Sequence, residues 1–138
     1  MANKTNIIPS IRYKDCEKAI KWLCDAFGFE KHLTVPSDAG TILHAQLVCG
    51  DSMIMLGSAH ERDEIGRLNS SPLELKGQNT ATIYMIVDDA DAHYKKALGK
   101  GAEIVFDVKD EDYGRRGYTC KDLEGHLWSF GTYNPWEE

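Results

Sequence analysis

Two stretches of the chain carry apolar residues at helical spacing, and strand-like alternation surrounds each of them. In the first, Ala19, Ile20, Leu23, Cys24 and Phe27 share one face, while Lys18, Lys21 and Asp25 take the wet face. Asp15 stands where an N-cap carboxylate accepts from unpaired amides, and Gly28 where a left-handed residue closes a helix. Strands are predicted at residues 7–13, 29–35, 41–49 and 53–57, with turns at 38–40 and 50–51. Pro9 fits a strand start or an edge, because it has no amide to donate.

The second half repeats this order. A strand at 81–87 leads to Asp88 or Asp89 as the cap of a helix through Ala92, Tyr94, Ala97 and Leu98, which Gly99 and Gly101 end. Strands follow at 102–108, 116–121 and 127–133, separated by turns at 113–114 and 123–125. Two βαβββ units in tandem account for the pattern, one at about 5–57 and one at about 80–135. The polar linker between them, 58–79, is longer than most connections, so a flap or hinge is expected there. Its run His60-Glu61-Arg62-Asp63-Glu64 reads as a solvated charge cluster.

Composition narrows the function classes. The chain has 138 residues, 42% of them hydrophobic, which suits one globular domain. A net charge of -6 argues against a nucleic-acid or anionic-membrane partner and favours cationic ligands in general. No apolar run approaches the roughly 20 residues that span a bilayer, and residues 1–6 lack a signal-peptide core. Cys16, Cys24, Cys49 and Cys120 form no Cys-x-x-Cys pair and read as reduced thiols, so a cytoplasmic location is expected. There is no Gly-x-Ser-x-Gly elbow, phosphate-cradling glycine loop or His-Glu-x-x-His helix.

The paired units, together with Tyr113-Gly114-Arg115-Arg116 and Asp122-Leu123-Glu124-Gly125-His126-Leu127-Trp128, resemble the vicinal oxygen chelate superfamily. This is the group of glyoxalase I, bleomycin-resistance and fosfomycin-resistance proteins and extradiol dioxygenases. Ala26-Phe27-Gly28-Phe29-Glu30 and His44-Ala45-Gln46-Leu47 fit a bacterial glyoxalase-like branch, and Leu123 departs from the family's proline. The resemblance implies an α+β fold in which tandem βαβββ modules form a curved, cup-shaped mixed sheet. It also implies a homodimer, with the cup completed across the dimer or by exchanged halves. Enzymes of the group hold one divalent metal by His, Gln or Glu from the first and last strands of each half. Those places fall here on Ile8, Met55, Thr82 and Ser129, none of which offers an imidazole, carboxylate or thiolate. No cofactor is therefore expected, the alternative being one divalent metal ion.

Strand parity assigns the cup lining. If Ser129 points inward, Trp128 and Phe130 point to the helices, and Thr82, Tyr84 and Ile86 form an inward set on the strand beside it. His44 and Gln46 share a face opposite Leu43, Ala45 and Leu47. Arg116, Tyr118 and Cys120 form another same-face set, with Arg116 able to clamp an anion or to pair with Glu111 or Asp112. His126, at a turn, is expected to bond backbone. Ligand-binding residues are accordingly predicted at His44, Gln46, Thr82, Tyr84, Arg116, Tyr118 and Ser129, with no catalytic or metal residue assigned. The expected function is metal-independent binding of a small organic molecule, as in drug-sequestering bleomycin-resistance proteins. The alternatives are a metal-dependent glyoxalase-like lyase, isomerase or dioxygenase, and a dimeric scaffold.

Overall fold

Asp15 and Asp89 each begin a helix by the same device. The Asp15 side chain accepts from the Lys18 amide at 3.0 Å, and the Asp89 side chain from the Ala92 amide at 3.0 Å. The helices they cap are α1 (Cys16–Phe27) and α2 (Ala90–Gly99). Gly28 closes α1 at φ 83°, a left-handed conformation that a Cβ disfavours. The computed structural model describes residues 5–58, 68–112 and 114–137. The charged run at 60–64 and Tyr113 of the expected turn lie outside these residues.

The strands are β1 (Ser10–Tyr13), β2 (Glu30–Pro36), β3 (Ile42–Cys49) and β4 (Ser52–Ser58), then β5 (Ile83–Ile86), β6 (Glu103–Asp110), β7 (Arg116–Lys121) and β8 (Leu127–Gly131). They form two four-stranded mixed sheets, ordered β1-β4-β3-β2 and β5-β8-β7-β6. The repeat extends to register. Ser10 pairs with Met55 in the parallel β1–β4 contact, and Tyr84 with Ser129 in β5–β8. β5 and β8 are shorter than the alternation suggested, and β6 is longer.

Both sheets turn one face onto a shared core. Tyr13, Ala45, Leu47, Ile54 and Leu56 come from the first sheet, and Tyr118, Cys120, Trp128 and Phe130 from the second. Leu23, Phe27 and Ala97 of the two helices pack among them. Phe27 joins the halves, its ring centroid 5.1 Å from Trp128 and 4.7 Å from Phe130. Burying each such side chain stabilises the fold by about 1.5–3 kcal/mol relative to leaving it exposed.

A buried polar knot ties the second half to the first. In the turn between β7 and β8, Asp122 Oδ2 accepts from the Tyr13 hydroxyl at 2.5 Å and from Trp128 Nε1 at 3.0 Å. Its Oδ1 accepts from the amides of Glu124 and His126, both at 3.0 Å. Glu124 reaches the start of α1, accepting from the Lys14 amide at 2.6 Å and the Asp15 amide at 2.8 Å. The Ser71 hydroxyl donates to Glu124 at 2.7 Å. His126 Nε2 sits 2.8 Å from the Arg12 carbonyl oxygen, the backbone contact expected of it. Burial and the neighbouring Asp122 push the Tyr13 phenol well above its ordinary value, so it remains a donor at neutral pH.

The later part of the linker is also anchored. Ser71 and Pro72 are buried, and Pro72–Glu74 forms a 3-10 turn. Asn79 donates to the Gly125 carbonyl at 2.9 Å and accepts from the Leu127 amide at 3.1 Å.

Replacing Asp122 by Ala strands four donors at once, and each buried unsatisfied group costs about 1–3 kcal/mol. Asp122→Ala is expected to lower the melting temperature by about 10 °C or more, and Tyr13→Phe by roughly a third of that, since one bond is lost. Thermal unfolding followed by circular dichroism checks both values. An Asp122→Ala melt within two or so degrees of the parent would remove the knot from this role.

Candidate functional site

Each sheet has a second face that the helices do not cover, and its residues can be read from the register. Directly paired residues point to the same side. In the second sheet Tyr84 pairs with Ser129, Ser129 with Thr119, and Thr119 with Phe106. These four side chains make one row across all four strands, aromatic at each end and hydroxylic in the middle. The Ser129 and Thr119 hydroxyls are 2.8 Å apart, in hydrogen-bond contact. Phe106 is 61% exposed and Tyr84 41%, high values for large rings.

Two glycines flatten the floor beside this row. Gly117 pairs with Gly131. A Cβ on Gly131 would stand 3.0 Å from the Tyr84 hydroxyl, so the Tyr84 ring lies against that bare backbone. The hydroxyl donates to the Tyr133 carbonyl at 2.6 Å, which fixes the ring in place. Thr82 is exposed just before β5, on the same side as Tyr84 and Ile86 by strand parity.

The first sheet has the corresponding row, Ser10, Met55, Gln46 and Leu33. Its chemistry differs, with a thioether and an aliphatic group where the second sheet has a hydroxyl and a ring. His44 stands beside Gln46, and the Gln46 amide nitrogen lies 3.2 Å from His44 Nε2. Arg12 is also on this side, its guanidinium over Gly57 and donating to the Ser58 carbonyl at 3.1 Å.

Of the predicted site residues, Thr82, Tyr84 and Ser129 stand together on the open face of the second sheet. His44 and Gln46 stand together on that of the first. Arg116 and Tyr118 are on neither, and their expected place on the cup wall is corrected. Tyr118 pairs with Phe130, is 3% exposed, and lies 2.6 Å from His93 Nδ1. Arg116 reaches toward α2, pairing with Asp91 at 2.9 Å and Asp110 at 3.2 Å rather than with Glu111 or Asp112. The cause is register. The Asp122–Gly125 turn sets Cys120 opposite Trp128, so the whole Arg116-Tyr118-Cys120 set shares the core side.

That same register reveals Thr119 and Phe106, which the sequence reading missed. The signal was available for Thr119: once Trp128 is placed in the core, a hairpin closing at Lys121 and Leu127 forces Thr119 onto the face of Ser129. Phe106 follows a bulge between Ile104 and Phe106, and nothing local in the sequence marks that shift.

The family's metal places do not suit a metal here. Ile8 is aliphatic, Met55 is set between Ser10 and Gln46, and the Ser129 hydroxyl is engaged by Thr119. His44 and Gln46 supply two donors only, and among the described residues no three His, Cys, Asp or Glu side chains converge.

Comparison with known proteins agrees with this architecture. TioX from Micromonospora sp. ML1 is similar over 92% of this chain and 94% of its own, with 30% identity and a TM-score of 0.72. An uncharacterized protein of Mycobacterium bovis is 31% identical over 127 residues, 89% of this chain and 80% of that protein. The fosfomycin resistance protein FosX from Mesorhizobium loti has the same fold, with a TM-score of 0.65 and 14% identity over 99% of this chain and 98% of its own. Residues 6–130 match the sequence profile described as Glyoxalase/Bleomycin resistance protein/Dioxygenase superfamily. With that match spanning both modules, the chain belongs to this superfamily.

Proposed function

We propose that the chain is a metal-independent small-molecule binding protein, and that its ligand is planar and aromatic. The row Tyr84-Ser129-Thr119-Phe106 carries this reading. Four strands at about 4.8 Å spacing put the backbones of Tyr84 and Phe106 roughly 14 Å apart across the sheet. A flat ligand lying across this row meets a ring at either side and the two central hydroxyls beneath it. Aromatic contacts of this kind contribute about 0.5–1.5 kcal/mol each beyond area burial. The net charge of -6 favours a cationic ligand over an anionic one.

The binding surface is completed by a second copy of the chain. The open faces expose Leu33, Val35, Tyr84, Ile86 and Phe106, large apolar side chains that a second copy would take out of water. A homodimer that lays the first sheet of one protomer against the second sheet of its partner covers both rows. Light scattering on the eluting protein is expected to give twice the chain mass.

A thermal-shift screen of planar aromatic cations is expected to find compounds that raise the melting temperature, since they bind the folded state alone. Tyr84→Ala or Phe106→Ala then weakens the best compound about tenfold. Tyr118→Phe leaves its affinity unchanged, because that ring points into the core. Equal losses at all three positions would move the site off the open face.

Elemental analysis of untagged protein distinguishes this reading from a metal-dependent lyase, isomerase or dioxygenase. Binding of nickel, zinc, manganese or iron is expected to stay far below one equivalent. A stoichiometric metal that supports turnover would replace the binding role with an enzymatic one, and would draw attention to His44 and Gln46 as donors.

A further inference from the structure

The two modules meet where α1 packs on α2, and this seam encloses a titratable group that the fold itself does not require. His93 sits four residues after the cap of α2, its amide bonded to the Asp89 carbonyl at 3.1 Å. Four residues after the cap of α1, the equivalent amide belongs to Ala19, bonded to the Asp15 carbonyl at 3.0 Å. Ala19 is buried and apolar. One repeat thus fills this place with a methyl group and the other with an imidazole.

The imidazole is packed among rings. Its centroid lies 4.2 Å from Phe130 and 6.0 Å from Phe27, the Phe27 ring stacking within 24° of it. Nδ1 is engaged by the Tyr118 hydroxyl at 2.6 Å. Nε2 is shut off from solvent and is the one such side-chain atom without a hydrogen-bond partner among the described residues. A neutral ring tolerates that position. A second N–H there would be a buried positive charge that the Phe27 backbone offsets only in part, and burying such a charge is costly unless it is fully paired.

Among the described residues no carboxylate is placed to offset that charge. α1 presents Phe27 and β8 presents Phe130, while β7 contributes the Tyr118 phenol and α2 the Lys96 ammonium. We propose that His93 is an acid-sensitive latch on the inter-module seam: protonation expels its ring toward water and loosens α2 from Phe27. Desolvation holds the imidazole below its ordinary value of 6.5, with Lys96 adding to the shift and the Phe27 backbone opposing it.

The direction of the pH effect follows. A histidine depressed in the folded state leaves the unfolded chain binding more protons, so its stabilising effect is complete above about pH 6.5. It is lost as the pH falls below that value and through the lower folded one.

The test uses the intact chain. Imidazole resonances of the unmodified protein are titrated by NMR, and amide exchange is followed at pH 7 and pH 5 with correction for intrinsic rates. His93 is expected to titrate below 6.5, with seam amides such as Ala97 and Ala102 opening about tenfold more often at the lower pH. His93→Phe, which keeps a ring but cannot take a proton, is expected to abolish that acceleration. A His93 titration at or above 6.5 overturns the proposal, as does equal acceleration in both proteins or none in the parent. Should His93→Phe fail to fold, the titration and the seam exchange of the unmodified chain decide the matter.

Discussion

The Asp122 carboxyl group, buried where the two halves meet, is the constraint on which the rest of the arrangement depends. Four donors converge on it, from a side chain of β1, a side chain of β8 and two amides of its own turn. Such a group is expensive to bury without its partners, so it enforces their positions. Once Tyr13 and Trp128 are fixed to the same oxygen, β1 and β8 have one permitted relation. Glu124 extends the knot by capping the amides ahead of α1 and holding Ser71 of the linker. The turn sequence Asp122-Leu123-Glu124-Gly125-His126 is therefore a fastening between modules as well as the link between two strands.

That fastening determines which sheet faces remain available for function. With Trp128 held in the core, alternation sends Ser129 outward, and the pairing of β7 with β8 sends Thr119 outward beside it. The repeat then gives two open faces with the same geometry and different chemistry. Met55 and Gln46 in one stand where Ser129 and Thr119 stand in the other. The two halves share backbone register and differ in the side chains it presents. None of these four side chains is a carboxylate, imidazole or thiolate, and the second row ends in the rings of Tyr84 and Phe106.

The same logic explains Arg116 and Tyr118. Both are attractive as binding residues by type, and both serve the packing of α2. Tyr118 lines the pocket that holds His93, and Arg116 lies across the side of α2 through Asp91. Residue type suggested a role, and orientation assigned another. A single one-residue change of parity separates the two readings.

Much of the fold was legible in the chain because its signals are local. Asp15 and Gly28 bracket a helix through backbone hydrogen bonding and a left-handed cap, and the spacing of Ala19, Leu23 and Phe27 names its buried face. Asp89, the alternating strands and the closing turn repeat those signals, so the sequence by itself determined two βαβββ units and that Ser129 lies on the face opposite Trp128 and Phe130. Only the tertiary structure decided which way β7 faces, because that depends on its pairing across the hairpin and on the bulge in β6. It also decided that Asp122, Glu124 and Tyr13, more than a hundred residues apart in the case of Tyr13 and Asp122, share one buried knot. Such contacts arise from chain-distant groups satisfying each other's hydrogen bonds, and no local periodicity encodes them.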